Sequence, residues 1–357
     1  WSNHRYDTYD YKRIDPMLGT EADFSALCAA AHALGMKIVL DGVFSHVGSR
    51  SPYFQSAIHD DRSPYRSWFS FQHYPDVYTS WWGITTLPCV NKLEPSYMDY
   101  IIRDADSVVA HWLALGADGF RLDVVDELPD EFVLCLRKRI RELNPDAILL
   151  GEVWEDASNK IAYGVRRKYF VDGLLDGVMN YPWRTAILQY VLGEDDGTIL
   201  CDWVMRLAEN YPAEVLNSTM LSLSTHDTRR ILTALGDQFE GSREEKAART
   251  LSCGELQLAM EREKVAAFLQ FFLPGISCIY YGDEAGMQGY EDPFNRRTYP
   301  WGKENKDLVD FYRTLAKTKQ VQPALKQGDV YLTGETGRLV LRRQWQDQIV
   351  YGWINLK

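Results

Sequence analysis

The chain has 357 residues, with 39 basic and 50 acidic side chains and a formal net charge of −11. That balance argues against nucleic acid or an anionic membrane as the main partner, and no apolar run of about 18 residues is present to span a bilayer as a helix. At 46% hydrophobic the sequence can bury a sizeable core, and its length suits one large α/β domain plus something smaller.

In chain order, Thr20 with Asp23 three residues on predicts a capped helix start. Phe24, Leu27, Cys28, Ala31 and Leu34 then recur at helical spacing until Gly35 stops the helix. Residues 36–44 (MKIVLDGVF) read as a buried strand. Residues 48–95 hold no long periodic segment but are rich in Trp, Tyr and Phe, Trp68, Trp81 and Trp82 among them. A connection of that length is usually functional and is expected to be an inserted subdomain. Residues 96–115 predict one amphipathic helix ended by Gly116, and 117–125 a strand. Residues 130–143 predict a helix with Phe132, Leu136, Ile140 and Leu143 inward, its basic cluster (Arg137, Lys138, Arg139, Arg141) reading as a solvated face. Further strands are expected at 147–153, 174–180, 218–225 and 276–281. Repeated strand–helix alternation implies an α/β fold with a parallel sheet. After about residue 325 short alternating segments predict hairpin strands that begin a separate β domain. The expected organisation is therefore 1–47, an insertion at 48–95, 96–324, and a β domain from 325 to 357.

Six cysteines lie without metal-ligand spacing or any CxxC pair. They read as reduced core residues, which favours a cytoplasmic over a secreted location. The 13% aromatic content, with 11 Trp and 21 Tyr, suits a neutral polysaccharide, because sugar rings present C–H faces that stack on aromatics.

Three acids each follow a short apolar run: Asp123 after GFRL, Glu152 after AILLG, and Asp227 after MLSLSTH. A carboxylate is costly to bury, so three at strand ends need a chemical reason. Arg121 and Asp123 are two apart on a strand and point the same way, so Arg121 is expected to hold Asp123 ionised. Glu152, one strand later, can face it. One carboxylate kept charged and one kept protonated is the division of labour for glycosidic bond cleavage. Asp227, with His226 beside it, would bind substrate hydroxyls. His46, five residues after Asp41, supplies another donor at the end of the first strand. No GxGxxG, Walker, HExxH or GxSxG pattern occurs.

The segments DGVFSH (41–46), GFRLDVVDE (119–127), GEVW (151–154) and LSTHDT (223–228) resemble, in order, the four short regions of the α-amylase family of glycoside hydrolases. LPCVN (87–91) is similar to a fifth region in its neopullulanase and cyclomaltodextrinase branch, with Cys89 where that branch usually has Lys. NHRYDTYDYKRIDPMLGT (3–20) resembles the stretch after the family's second barrel strand. The resemblance implies a TIM (β/α)8 barrel, about six of whose eight strands are visible, so that the chain reads as cut short at both ends and the activity of this piece alone is in question. It implies Asp123 as nucleophile, Glu152 as acid/base and Asp227 as transition-state stabiliser. It also implies Arg121 as support for Asp123, His46 and His226 as sugar contacts, and Tyr6 as the aromatic that stacks on the sugar. Asp41 becomes a structural acid and Trp154 a wall of the leaving-group side. The outcome would be retention through a covalent glycosyl-enzyme intermediate on starch, maltodextrins or cyclodextrins, with carboxyls about 5–5.5 Å apart. The same triad also serves α-glucosidases and glucan transferases, and the fold is reused in non-catalytic interaction modules. The resemblance calls for no cofactor; it allows a structural calcium, to which Asp76 and Asn91 could contribute, and a homodimer.

Overall fold

The computed structural model describes residues 2–356. The chain forms two compact units. One takes in the chain up to Val153 together with Asn159–Asp176; the other takes in Trp154–Ser158 and the chain from Gly177 onward.

In the first unit, strands Leu40–Gly42, Gly119–Leu122 and Ile148–Gly151 pair in parallel, in that spatial order. Each is shorter than the apolar run that predicted it. The register sets Asp41 beside Arg121 and Leu122 beside Gly151. Gly119 (φ 151°) is required where the last two strands meet, because a Cβ there would lie 2.1 Å from the Ile148 carbonyl oxygen. Phe44, Phe120, Leu122, Phe132 and Leu149 are buried among these strands and the helix Asp130–Leu143.

The helix Glu21–Ala33 starts at the expected capping box of Thr20 and Asp23. Its buried edge is narrower than the periodicity implied. Cys28 and Ala31 are buried and Phe24 packs edge-on against Trp112, but Leu27 and Leu34 face outward. The helix expected over 96–115 is broken. Pro95–Met98 runs into a wider turn at Asp99–Arg103, Asp104 turns extended, and Ser107 caps a new helix, Val108–Ala114, by accepting the Ala110 N–H. Competition from the Ser107 hydroxyl for backbone hydrogen bonds explains a break that hydrophobic spacing could not show.

The basic cluster of Asp130–Leu143 is not wholly a solvated face. Arg137 is buried. Its Nε donates to the carbonyls of Gly173 (2.8 Å) and Leu174 (3.0 Å), and its other nitrogens grip Asp176 at 2.9 and 2.6 Å. Asp176 also accepts the Leu149 N–H at 2.7 Å, so this arginine ties the 173–176 turn to the sheet.

Residues 48–95 contain the helix Pro52–His59 and a small hairpin, Phe71–His73 with Val77–Tyr78. Several of their aromatics serve packing rather than sugar stacking. Trp68 is buried among Tyr53, Tyr65, Tyr97 and Tyr100, with ring centroids 4.8–5.6 Å away.

The second unit holds the short strands Gly177–Val178, Met220–Ser222 and Ile276–Cys278, the last two paired in parallel. They pack with the helices Tyr181–Leu192 and Cys253–Phe272. Strands Asp329–Glu335, Arg338–Trp345 and Gln348–Asn355 form an antiparallel sheet in this same unit. The buried Arg343 anchors that sheet by donating to the carbonyls of Phe272 and Gly328. No sheet closes on itself among the described residues. All six cysteines are unpaired, and no described helix is long and apolar enough to cross a membrane.

Candidate active site

Strand register explains the gathering of charge in the first unit. Side chains alternate along a strand, so Arg121 and Asp123 share a face, Glu152 lies level with Asp123 on the next strand, and Asp41 sits beside Arg121 on the other side. The backbone holds these ends in step, with the Asp123 N–H on the Gly42 carbonyl (3.2 Å) and the Glu152 N–H on the Leu122 carbonyl (3.0 Å). One guanidinium therefore meets three carboxylates. Arg121 Nη1 donates to Asp41 (2.9 Å) and Asp123 (3.1 Å), and Nη2 lies 3.0 Å from Glu152 Oε2. Arg121, Asp123 and Glu152 are all buried, whereas the Asp41 side chain is about half exposed.

The electrostatics differ from the expectation that Arg121 keeps Asp123 ionised. Burial pushes the Asp123 carboxyl up to about 7; the Arg121 charge opposes that rise, and the neighbouring Glu152 and Asp41 reinforce it. One cation shared by three acids cannot neutralise each of them, so Asp123 takes up a proton as the pH falls towards 7.

Glu152 is held on a second side. Its Oε2 accepts the Val124 N–H at 2.7 Å. Val124 follows Asp123 in the left-handed region (φ 38°, ψ 60°), a costly conformation for a β-branched residue. That turn aims the amide after Asp123 at the second acid.

Tyr6 and His46 reach the same strand ends. The Tyr6 hydroxyl donates to Asp41 at 3.1 Å. His46 Nε2 lies 3.0 Å from the Tyr6 carbonyl, which can only accept, so the ring carries its proton on Nε2, while Nδ1 accepts from the Ser45 hydroxyl at 2.8 Å. Burial lowers its pKa to about 4, so the ring is neutral. Its one N–H is engaged in positioning Tyr6.

The remaining expected residues belong to the second unit. Asp227 follows the strand Met220–Ser222; its N–H bonds the Thr225 hydroxyl (3.2 Å) and its carboxylate lies 3.0 Å from His226 Nε2. Trp154 stacks on Tyr181 with centroids 3.8 Å apart and planes 8° apart, and stays 44% exposed. Sequence reading missed three residues here. Tyr181 backs Trp154. Buried Asn295 donates to the carbonyls of Thr225, His226 and Thr228 at 3.3, 2.7 and 2.9 Å. Arg296 donates to the His226 carbonyl and lies 3.7 Å from Asp227. The only advance signal for the pair was a polar run, NRR, in a stretch without periodicity.

Asn91 is one of the two residues that the sequence offered for calcium. Both polar atoms of the Asn91 amide are taken, by Ser70 and by the Ser67 carbonyl. No group of three or more His, Cys, Asp or Glu side chains among the described residues is spaced to hold a metal ion.

Residues 1–325 match the family profile described as alpha amylase, catalytic domain. The chain belongs to the alpha-amylase family. An amylopullulanase of Thermoanaerobacter thermohydrosulfuricus is 36% identical over 371 residues, covering 92% of this chain and 24% of that protein. A cyclomaltodextrinase of a Bacillus species is 31% identical over 366 residues, covering 98% of this chain and 59% of that protein. Among solved structures, the ligand-free cyclic alpha-maltosyl-(1→6)-maltose hydrolase from Arthrobacter globiformis aligns with a TM-score of 0.86 at 28% identity, covering 99% of this chain and 75% of that one. This alpha-amylase-family chain thus spans from about a quarter to three fifths of these two relatives' length.

Proposed function

We propose that this chain carries the catalytic carboxylates of a retaining glycosidase that cleaves α-glucosidic bonds in starch, maltodextrins or cyclodextrins. The observation that supports this best is the single buried guanidinium shared by Asp123 and Glu152. It holds two carboxyls at adjacent strand ends, one of which, Asp123, burial pushes up to about 7. In this reading Asp123 attacks the anomeric carbon as the anion and Glu152 gives its proton to the leaving oxygen. Glu152 then takes a proton from the water that releases the sugar. Burial raises the Asp123 carboxyl, and development of positive charge on the sugar beside it favours the ionised form that attacks. Asp227, His226, Tyr6 and Trp154 are the proposed sugar contacts, and the chemistry uses no cofactor. A cytoplasmic location is proposed with it, supported by the six unpaired cysteines and by relatives that include an intracellular maltogenic amylase of Bacillus subtilis. A homodimer is the assembly to test by sedimentation.

The test is product analysis with β-cyclodextrin, pullulan and soluble starch, with Asp123→Asn as control. Products that vanish in the control support the carboxylate assignment, and cyclodextrin opened faster than starch supports the cyclomaltodextrinase-like substrate range. Full activity in the control overturns the assignment.

A further inference from the structure

Three residues after Asp227 the second unit buries a charge. Arg230 is 0% exposed and Asp283 2% exposed. Arg230 Nη1 lies 3.3 Å from the Asp283 carboxylate and donates to the Tyr281 carbonyl at 2.7 Å. The guanidinium also packs over the rings of Tyr280 and Tyr281, 4.5 and 4.8 Å from their centroids. Room for it comes from Gly282 (φ 91°), where a Cβ would lie 2.1 Å from the Met287 sulfur and 3.2 Å from Arg230 Nη1. A buried ion pair adds little net stability, because desolvating both charges offsets their attraction; what it can do is fix one arrangement of the chain.

The arrangement fixed here is the turn that carries Asp227. Ser224 is buried at its start. The Ser224 hydroxyl accepts the Ile231 N–H at 2.7 Å, which leaves its own hydrogen for the Asp283 carboxyl that it meets. Asp283 thus touches the turn at both ends, through Ser224 before it and Arg230 after it. The Arg230 N–H is held as well, on the Gly289 carbonyl at 2.9 Å. Between those ends the turn bonds to itself, with the Thr225 N–H on the Thr228 hydroxyl (2.9 Å) and the Asp227 N–H on the Thr225 hydroxyl (3.2 Å). Asn295 grips its carbonyls; Asp283 holds its ends.

A second buried acid lies close by. Glu263 accepts the Tyr312 hydroxyl at 3.0 Å. Burial and the Asp283 charge push the Glu263 carboxyl well above its ordinary value, so the one cation serves Asp283. Burial raises Asp283 itself to about 7, against the Ser224 hydroxyl and the Arg230 charge, and at pH 8 it is ionised.

We propose that Asp283 is a positioning residue for Asp227: with Ser224 and Arg230 on its carboxylate, it fixes where the turn presents the Asp227 side chain to the sugar. This rests on the glycosidase reading above for the sugar, and on geometry alone for the hold on the turn.

Hydrogen exchange at pH 8 tests that hold without substrate. Asp283→Asn removes the charge and keeps an oxygen for Ser224. Its amides at 225–228 are expected to exchange about 10-fold faster at labelling times of seconds to minutes, while the helix Cys253–Phe272 stays protected. Ser224→Ala keeps the ion pair and serves where Asp283→Asn does not fold; about 3-fold faster exchange confined to the same amides is expected. Unchanged exchange at 225–228, loss of protection in the helix as well, or failure of both variants to fold would overturn the proposal. Turnover of soluble starch by the unaltered protein, against Asp123→Asn, examines the glycosidase reading alone. Without products that reading fails, and exchange still decides whether Asp283 holds the turn. With products, Asp283→Asn should lower kcat about 10-fold or more through misplacement of Asp227. A normal kcat in that variant, alongside faster exchange at 225–228, would overturn the positioning role.

Discussion

Replacing Asp123 with Asn is expected to abolish turnover and, at the same time, to make the protein more stable, by an amount that depends on pH. The folded state raises this carboxyl from its ordinary 3.8 to about 7, through burial and the charges of Glu152 and Asp41. Between those two values the folded state binds more protons than the unfolded one, so the contribution of Asp123 to stability falls as pH rises across that window and stays low above 7. At about 1.36 kcal/mol per pKa unit, the Asp123 carboxyl disfavours the folded state by up to about 4 kcal/mol at pH 8, and by about 2 kcal/mol at pH 5, relative to strongly acid solution. Asn keeps a carbonyl oxygen for Arg121 and carries no charge, while Arg121 retains Asp41 and Glu152 as partners. The stability gain of the variant should therefore be about 2–3 kcal/mol larger at pH 8 than at pH 5. Urea unfolding of both proteins at the two pH values measures it, with turnover expected to fall by ~10⁴-fold or more. A gain equal at both pH values, or a loss at pH 8, would refute the reasoning.

Three further outcomes are expected. Arg121→Lys keeps one positive charge but loses the fork that spans three carboxylates; kcat on soluble starch should drop by ~10²-fold or more through misplacement of the acids, and an unchanged kcat would contradict the geometry. His46, with its pKa lowered from 6.5 to about 4 by burial, stabilises the fold fully above pH 6.5 and loses that contribution as pH falls towards 4. His46→Gln should accordingly flatten the acid side of the stability profile by about 2–3 kcal/mol, and imidazole NMR signals of the unaltered protein should show one ring that does not titrate between pH 8 and about 5. Arg137→Met leaves two turn carbonyls without their side-chain donor and Asp176 without its bidentate cation, and should destabilise the fold by about 3–5 kcal/mol in denaturant melts; a change below about 1 kcal/mol would show that the turn is held by other means.

The strand-end acids were legible because period-two alternation places Arg121 and Asp123 on one face, and because apolar runs mark the strands that deliver Asp123, Glu152 and Asp227. The helix Glu21–Ala33 was legible from its capping box, yet its outward leucines were not, since spacing defines a face without saying how much of it is covered. The break at Asp104–Ser107 was hidden because a capping hydroxyl competes locally with a hydrophobic pattern that continues across it. Arg137 was misread because a charge surrounded by charges resembles a wet face, and its partners lie 36–39 residues away. The Asp123 protonation state was misjudged for a related reason. The nearest cation was visible in the sequence, but the two further acids that share it arrive from other strands.

Asn295 has a consequence for the order in which this molecule matures. Its amide shapes the segment carrying His226 and Asp227 from 67–70 residues further along the chain. The Val124 N–H that steadies Glu152 lies only 28 residues before it. Closing the longer loop costs more entropy and waits on more of the chain. During synthesis, then, Asp123 and Glu152 can reach their final geometry while the ribosome has yet to deliver the residue that shapes the loop of Asp227. A nascent chain arrested just before residue 295 would protect the strand ends around Asp123 and Glu152 from protease and leave residues 225–228 open to it.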